Sequence, residues 1–275
     1  MSEFRPGRFQ MLPLVIKNLL IINGLVYLAQ VTLGNMYGYN MSTLFALHYW
    51  GSDLFMPHQF ITHLFMHDPG SFFHLFSNMF ALWMFGSTLE NVWGPKRFLI
   101  FYMICGLGAA FCHMLVLTYD NVQLSNYVGA FFANPSFDTF AAFQQKYQIP
   151  ALDGLYDAWS AGPAESPKMI QLGKTYLAGY LESYRDTATV GASGAVFGVL
   201  FAFGYLFPNS TLFIIPFPFP IKAKYFVGFY ILMELFLGFR NSAGDNVAHF
   251  AHLGGVLFAY ILLKIWNKRN RRTFY

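Results

Sequence analysis

The chain has 275 residues, 56% of them hydrophobic and only 11% charged, with 33 phenylalanines and a mean hydropathy of +0.41. A soluble domain carries about a quarter charged residues, so this composition argues against a soluble globular protein and for several membrane spans. The net charge of +4 comes from short basic clusters between apolar runs, with no long basic stripe, which speaks against a nucleic-acid partner and reads as a topology signal.

Six apolar runs are long enough to cross a bilayer, at about 11–33, 71–90, 97–118, 187–207, 223–239 and 245–266. The expected fold is an all-α membrane bundle forming a single membrane domain over residues 1–275. The first run is too long for a signal-peptide core and is expected to remain as a span. No Lys or Arg occurs between Asn18 and Pro95, whereas Arg5, Arg8, Lys96, Arg97, Lys222, Lys224 and the group from Lys264 to Arg272 lie at the opposite ends of the spans. Both termini are therefore expected in the cytoplasm, and a bacterial inner membrane is the expected location. Cys105 and Cys112 are seven residues apart, about 10 Å along a helix, too far for a disulfide.

Two connections stand out. The first outer loop, 34–70, interleaves Phe45, Tyr49, Trp50, Phe55, Phe60 and Phe65 with His48, His58, His63 and His67, a composition suited to a segment lying in the membrane interface. His63 and His67 are four apart and have metal-ligand spacing, but no Cys or carboxylate nearby completes a set, so no metal and no cofactor are expected. The outer insertion, 119–186, holds more than half of the acids, and Ser166-Pro167 starts an amphipathic helix bearing Leu172, Tyr176, Leu177, Tyr180, Leu181 and Tyr184.

Depth turns these spans into a candidate site. The second, fourth and sixth all run inward, and His74, Asn78, Ser193 and His252 each fall roughly 5–11 Å below the outer boundary at 1.5 Å per residue. Gly194, Gly198 and Ala202 on the fourth span, and Ala251, Gly255 and Ala259 on the sixth, form small-residue stripes of the kind that let two helices touch. Ser193 and His252 sit beside those stripes, within plausible reach of a hydrogen bond. A serine hydroxyl attacks an amide only with a base to take its proton, and histidine is suited to return that proton to the leaving amine. No acid falls at the same depth on these three spans, so a dyad is expected, with His74, Asn78 and the Ser193 N–H as oxyanion donors. Phe197, one turn below Ser193, is placed to stack on His252. His249 competes with His252, and Glu234 in the fifth span suits either function or a buried structural bond.

Gly191-Ala192-Ser193-Gly194 resembles the GxSG motif of the rhomboid intramembrane proteases. Ala251-His252-Leu253-Gly254-Gly255 resembles their AHxxG pattern, and His74-Leu75-Phe76-Ser77-Asn78 their HxxxN. The flanks 62–67, Phe85-Gly86, Glu90, Gly94 and Arg97-Phe98 agree as well. The resemblance covers about 11–118 and 187–266. It implies a six-span rhomboid-like bundle and a Ser193–His252 dyad with His74 and Asn78 stabilising the oxyanion, and it favours His252 over His249. Its implied substrates are single-span membrane proteins, entering past the fifth span and cut near the outer face. Inactive members that bind transmembrane clients are the alternative; a channel or transporter is disfavoured because no repeated discontinuous spans occur. The first outer loop lacks a Trp-Arg pair, Phe197 stands where the family has tyrosine, and the 119–186 insertion is longer than usual.

Overall fold

The computed structural model describes residues 9–163, 166–213, 219–240 and 248–270, with the backbone alone at 268–270. Helix α1 (Leu14–Tyr37) follows Pro13 and ends at Gly38, whose φ of 64° terminates it in the left-handed region. Two single turns, α2 (Ser42–Phe45) and α3 (Gln59–Thr62), shape the first outer loop. Helix α4 (Phe72–Ala81) passes through a π turn, Leu82–Gly86, into α5 (Ser87–Trp93). Helix α6 (Pro95–Ala133) is followed by α7 (Phe137–Tyr147), α8 (Asp153–Ser160) and α9 (Pro167–Arg185). Helix α10 (Ser193–Leu206) leads through a two-stranded ribbon, β1 (Thr211–Leu212) against β2 (Ile221–Lys222), to α11 (Ala223–Arg240) and α12 (His249–Asn270).

Among the described residues three helices, Leu14–Tyr37, Pro95–Ala133 and His249–Asn267, are by themselves long and apolar enough to cross a membrane. The third expected span does not stop at 118. Helix α6 runs on for 39 residues, about 58 Å, because nothing between Tyr119 and Ala133 breaks a helix until Asn134-Pro135. Hydropathy marks where the apolar composition ends, and the backbone ignores that limit. The fourth expected span begins late, since 187–192 is not helical: Leu47 and Thr189 exchange both backbone hydrogen bonds at 2.9 Å, and the helix starts only at Ser193. Residues 245–247 of the sixth expected span, and most of the basic termini, lie outside the described residues.

Helix α10 is apolar all round and is the hub. It packs against α6, α11, α12 and the π turn, in a core that includes Phe85, Phe98, Phe101, Cys105, Val199 and Phe203. Large apolar side chains face outward from the bundle, among them Leu25, Leu28, Phe73, Phe76, Phe229 and Phe236, as lipid contact requires. The insertion has its own core, in which Phe131 at the end of α6 meets Phe140, Phe143, Leu152, Trp159 and Leu177. The amphipathic helix expected after Ser166 is α9, and it packs on this core through Leu177, Tyr180, Leu181 and Tyr184.

The first outer loop is knitted internally. The buried Gln59 amide accepts from His48 N–H at 3.3 Å and donates to the Leu54 carbonyl at 2.9 Å, and Ser52 Oγ donates to Asp186 at 2.6 Å across to the insertion. His63 lies in a 3₁₀ turn, Met66 is extended, and His67 follows, so the two histidines do not share a helical face. Glu90 is structural: its two carboxylate oxygens accept the Val15 and Ile16 N–H groups at 2.8 and 2.9 Å, capping α1. Arg97 stacks on Trp266, its guanidinium carbon 4.2 Å from the ring centre.

Candidate active site

The local sequence explains why Ser193 heads a helix. Gly191 adopts φ 126°, a conformation L side chains rarely take, and turns the non-helical 187–190 segment into α10. The Gly191 N–H bonds to the His63 carbonyl at 3.0 Å, which fixes the turn to the first outer loop. Ser193 is the first residue of α10, so its own N–H has no acceptor within the helix and stands at the positive end of the helix dipole.

Close helix approach brings the partners in. A Cβ on Gly255 would collide with the Gly194 carbonyl oxygen, and one on Gly194 with the Ala109 methyl group. A Cβ on Gly198 would lie 2.7 Å from Cys105 Cβ and 3.1 Å from the Gly255 carbonyl oxygen. With α10 and α12 in backbone contact, Ser193 Oγ lies 2.8 Å from His252 Nε2. The Phe197 and His252 rings are stacked, centroids 4.2 Å apart at 6°.

The site differs from the expected dyad in one respect. Glu234 Oε2 on α11 lies 3.0 Å from His252 Nδ1 and 2.7 Å from His249 Nδ1, and all three residues are buried. This carboxyl lies on a span expected to run outward, beyond the reach of a depth count along the spans expected to run inward. Glu234 lies six residues before Arg240 at the end of α11, about 9 Å along the axis, in the same layer as Ser193. The signal was a Glu within the fifth expected span, one expected to run outward. His249 faces Glu234 from a ring 6.4 Å from that of His252, and His252 is the histidine that meets Ser193.

His74 is close by. A Cβ on Gly191 would lie 3.1 Å from His74 Nε2 and 3.6 Å from Ser193 Oγ. Its other ring nitrogen, Nδ1, accepts the Asp68 N–H at 3.3 Å, so in the neutral ring the proton resides on Nε2, toward Gly191. The His67 ring packs on His74 with centroids 5.2 Å apart. Asn78 commits one amide hydrogen to the His74 carbonyl at 2.8 Å, one turn back on the same helix, and retains a second.

Behind Ser193 is a cavity of about 20 Å³, lined by His63, His113, Thr189, Gly191 and Ala251 among others. That is room for one water molecule. His113 Nε2 and Thr189 Oγ1 lie 2.8 Å apart on its wall, a pair that no motif in the sequence indicates.

The family model described as Rhomboid domain matches residues 55–144 and 169–269, well over half of the chain. The chain is 26% identical over 210 residues to Rhomboid protein 1, mitochondrial, of Saccharomyces cerevisiae, covering 73% of this chain and 41% of that protein. It is 26% identical over 209 residues to RHOMBOID-like protein 12, mitochondrial, of Arabidopsis thaliana, covering 74% and 45%. The chain thus spans less than half the length of these relatives. Both are mitochondrial, which lends no support to a bacterial inner membrane. With apolar helices of membrane-crossing length and a rhomboid domain over most of its length, this integral membrane protein belongs to the rhomboid family.

Proposed function

We propose that the protein is an intramembrane serine endopeptidase, with Ser193 as nucleophile and His252 as general base and then general acid. The observation that carries this reading is the 2.8 Å contact between Ser193 Oγ and His252 Nε2, made inside an apolar bundle. As Oγ attacks the scissile carbonyl, its proton passes to Nε2 and the carbonyl π electrons move to oxygen. His74 Nε2–H, the Ser193 N–H and the free Asn78 amide hydrogen would receive that oxyanion. The imidazolium then protonates the leaving amine, and a water, for which the 20 Å³ cavity has room, hydrolyses the acyl-enzyme.

In this reading six spans surround the site: α1, α4 with α5, α6, α10, α11 and α12. Helix α10 has 14 residues, about 21 Å, shorter than the roughly 30 Å hydrocarbon core. The non-helical 187–192 segment completes the depth, its last residues Gly191 and Ala192 buried in protein. Ser193 then lies below the face from which α6 and the insertion project, opposite the basic ends. The substrates are single-span membrane proteins, admitted past α11, whose outward face carries Phe229, Leu232 and Phe236.

The test is cleavage of a helix-destabilised transmembrane peptide by purified protein in detergent. Ser193→Ala and His252→Ala each abolish cutting, and a serine-directed covalent probe labels Ser193. Normal cleavage by Ser193→Ala sinks the assignment. A wild type that binds the peptide without cutting it makes this chain a rhomboid-like client binder.

A further inference from the structure

We infer that Glu234 is a positioning residue for the reaction, turning the expected pair into a Ser193–His252–Glu234 triad whose carboxylate is held by His249. The inference rests on the serine protease reading above and adds a residue that the motifs do not contain.

Three helices meet at one ring. Nε2 of His252 faces Ser193 on α10, and Nδ1, on the other side of the ring, faces Glu234 Oε2 on α11. To accept the serine proton Nε2 must be bare, so the neutral ring must carry its hydrogen on Nδ1. An acceptor 3.0 Å from Nδ1 selects that tautomer. In the other tautomer Ser193 would receive a hydrogen bond and could not deliver its proton. Glu234 thus decides which nitrogen is the base, and Phe197 stacking, blind to tautomer, cannot.

The same carboxylate answers the charge that develops. When His252 becomes imidazolium, an anion 3.0 Å away in a buried site stabilises it with little solvent screening. The proton stays on the ring. His249 Nδ1, 2.7 Å from the same oxygen, keeps Oε2 from swinging away and helps satisfy a charge that is costly to bury. A tie between α11 and α12 would need only the His249 bond; the second bond, to the nitrogen opposite the serine, is what a purely structural role leaves without a purpose.

Glu234, His249 and His252 also bring three ligand-type atoms within 4.8 Å of one another. The separations of 2.7 and 3.0 Å from Oε2 are hydrogen-bond distances, shorter than the roughly 3.3 Å between neighbouring ligands around tetrahedral zinc. The geometry is that of shared protons.

The experiment measures kcat and KM for transmembrane-peptide cleavage, the rate of Ser193 labelling by the covalent probe and the thermal midpoint, in wild type, Glu234→Gln and Glu234→Asp. Glu234→Gln, which keeps the length and loses the charge, is expected to lower kcat and the labelling rate about a hundredfold with KM within about twofold. Glu234→Asp, which keeps the charge at a shorter reach, is expected to fall between, about tenfold down. Wild-type kcat and labelling in either folded variant overturn the inference, while an inactive Ser193→Ala in the same series leaves the protease reading standing. Should Glu234→Gln not fold, Glu234→Asp alone decides by the same criterion. Activity removed by a chelator and restored by zinc also overturns the triad.

Discussion

Gly255 on α12 faces the Gly194 carbonyl on α10 so closely that no side chain fits between them. This contact sets the distance between the helices carrying His252 and Ser193, and through it the 2.8 Å separation of the two side chains. Gly255→Ala is therefore expected to push the helices apart, lowering stability by about 1–3 kcal/mol. Cleavage should fall at least a hundredfold, because a displacement near 1 Å is enough for such a loss. Thermal unfolding in detergent and the peptide assay check the two effects separately.

The oxyanion donors should differ in weight. His74 presents Nε2–H toward Gly191 and Ser193, and losing one such donor costs about 10²–10³ in kcat. His74→Ala is expected in that range. Asn78→Ala is expected to cost less, since one of its amide hydrogens serves the His74 carbonyl. Equal losses in the two variants would show that this division of labour is wrong.

Phe197 holds the histidine ring by a stack of 4.2 Å. An aromatic pair contributes about 0.5–1.5 kcal/mol beyond its area, so Phe197→Leu should lower kcat by roughly two- to twelvefold at similar KM. A change confined to KM would assign Phe197 to substrate contact instead.

Glu90 acts far from this chemistry. Its carboxylate caps α1 through two buried backbone N–H groups. Glu90→Ala should cost about 1.5–3 kcal/mol, read as a lower thermal midpoint, with kcat unchanged in the folded fraction.

Acid should loosen the first outer loop. Burial pulls His63 down to about 4, and burial with the neighbouring His74 pulls His67 down to about 4. Both rings are neutral in the fold at pH 6, while the unfolded loop titrates near 6.5 and binds more protons. Stability is therefore fully present above about 6.5 and declines as pH falls toward 4, by up to about 1.4 kcal/mol per histidine per pH unit. Proteolysis of the loop or thermal unfolding, followed from pH 7.5 to 5, checks the direction; greater stability at pH 5 would contradict it.

The sequence by itself determined that the chain is helical and membrane-bound, and which serine, histidines and glycines to bring together. These follow from local quantities: apolar run length, 1.5 Å of rise per residue, and small residues four apart. Helix ends were less legible, because hydropathy does not register that α6 continues to Asn134-Pro135 or that the Thr189–Leu47 bridge holds the residues before Ser193 out of the helix. The approach of Glu234 to His252 was decided only by tertiary structure. Eighteen residues separate them on adjacent helices of opposite direction, and nothing in either helix alone states how far each is turned about its axis. That rotation is set when side chains of the whole bundle interlock, as Gly255 locks against Gly194 and Phe197 against His252, and with it the partner of the second imidazole nitrogen.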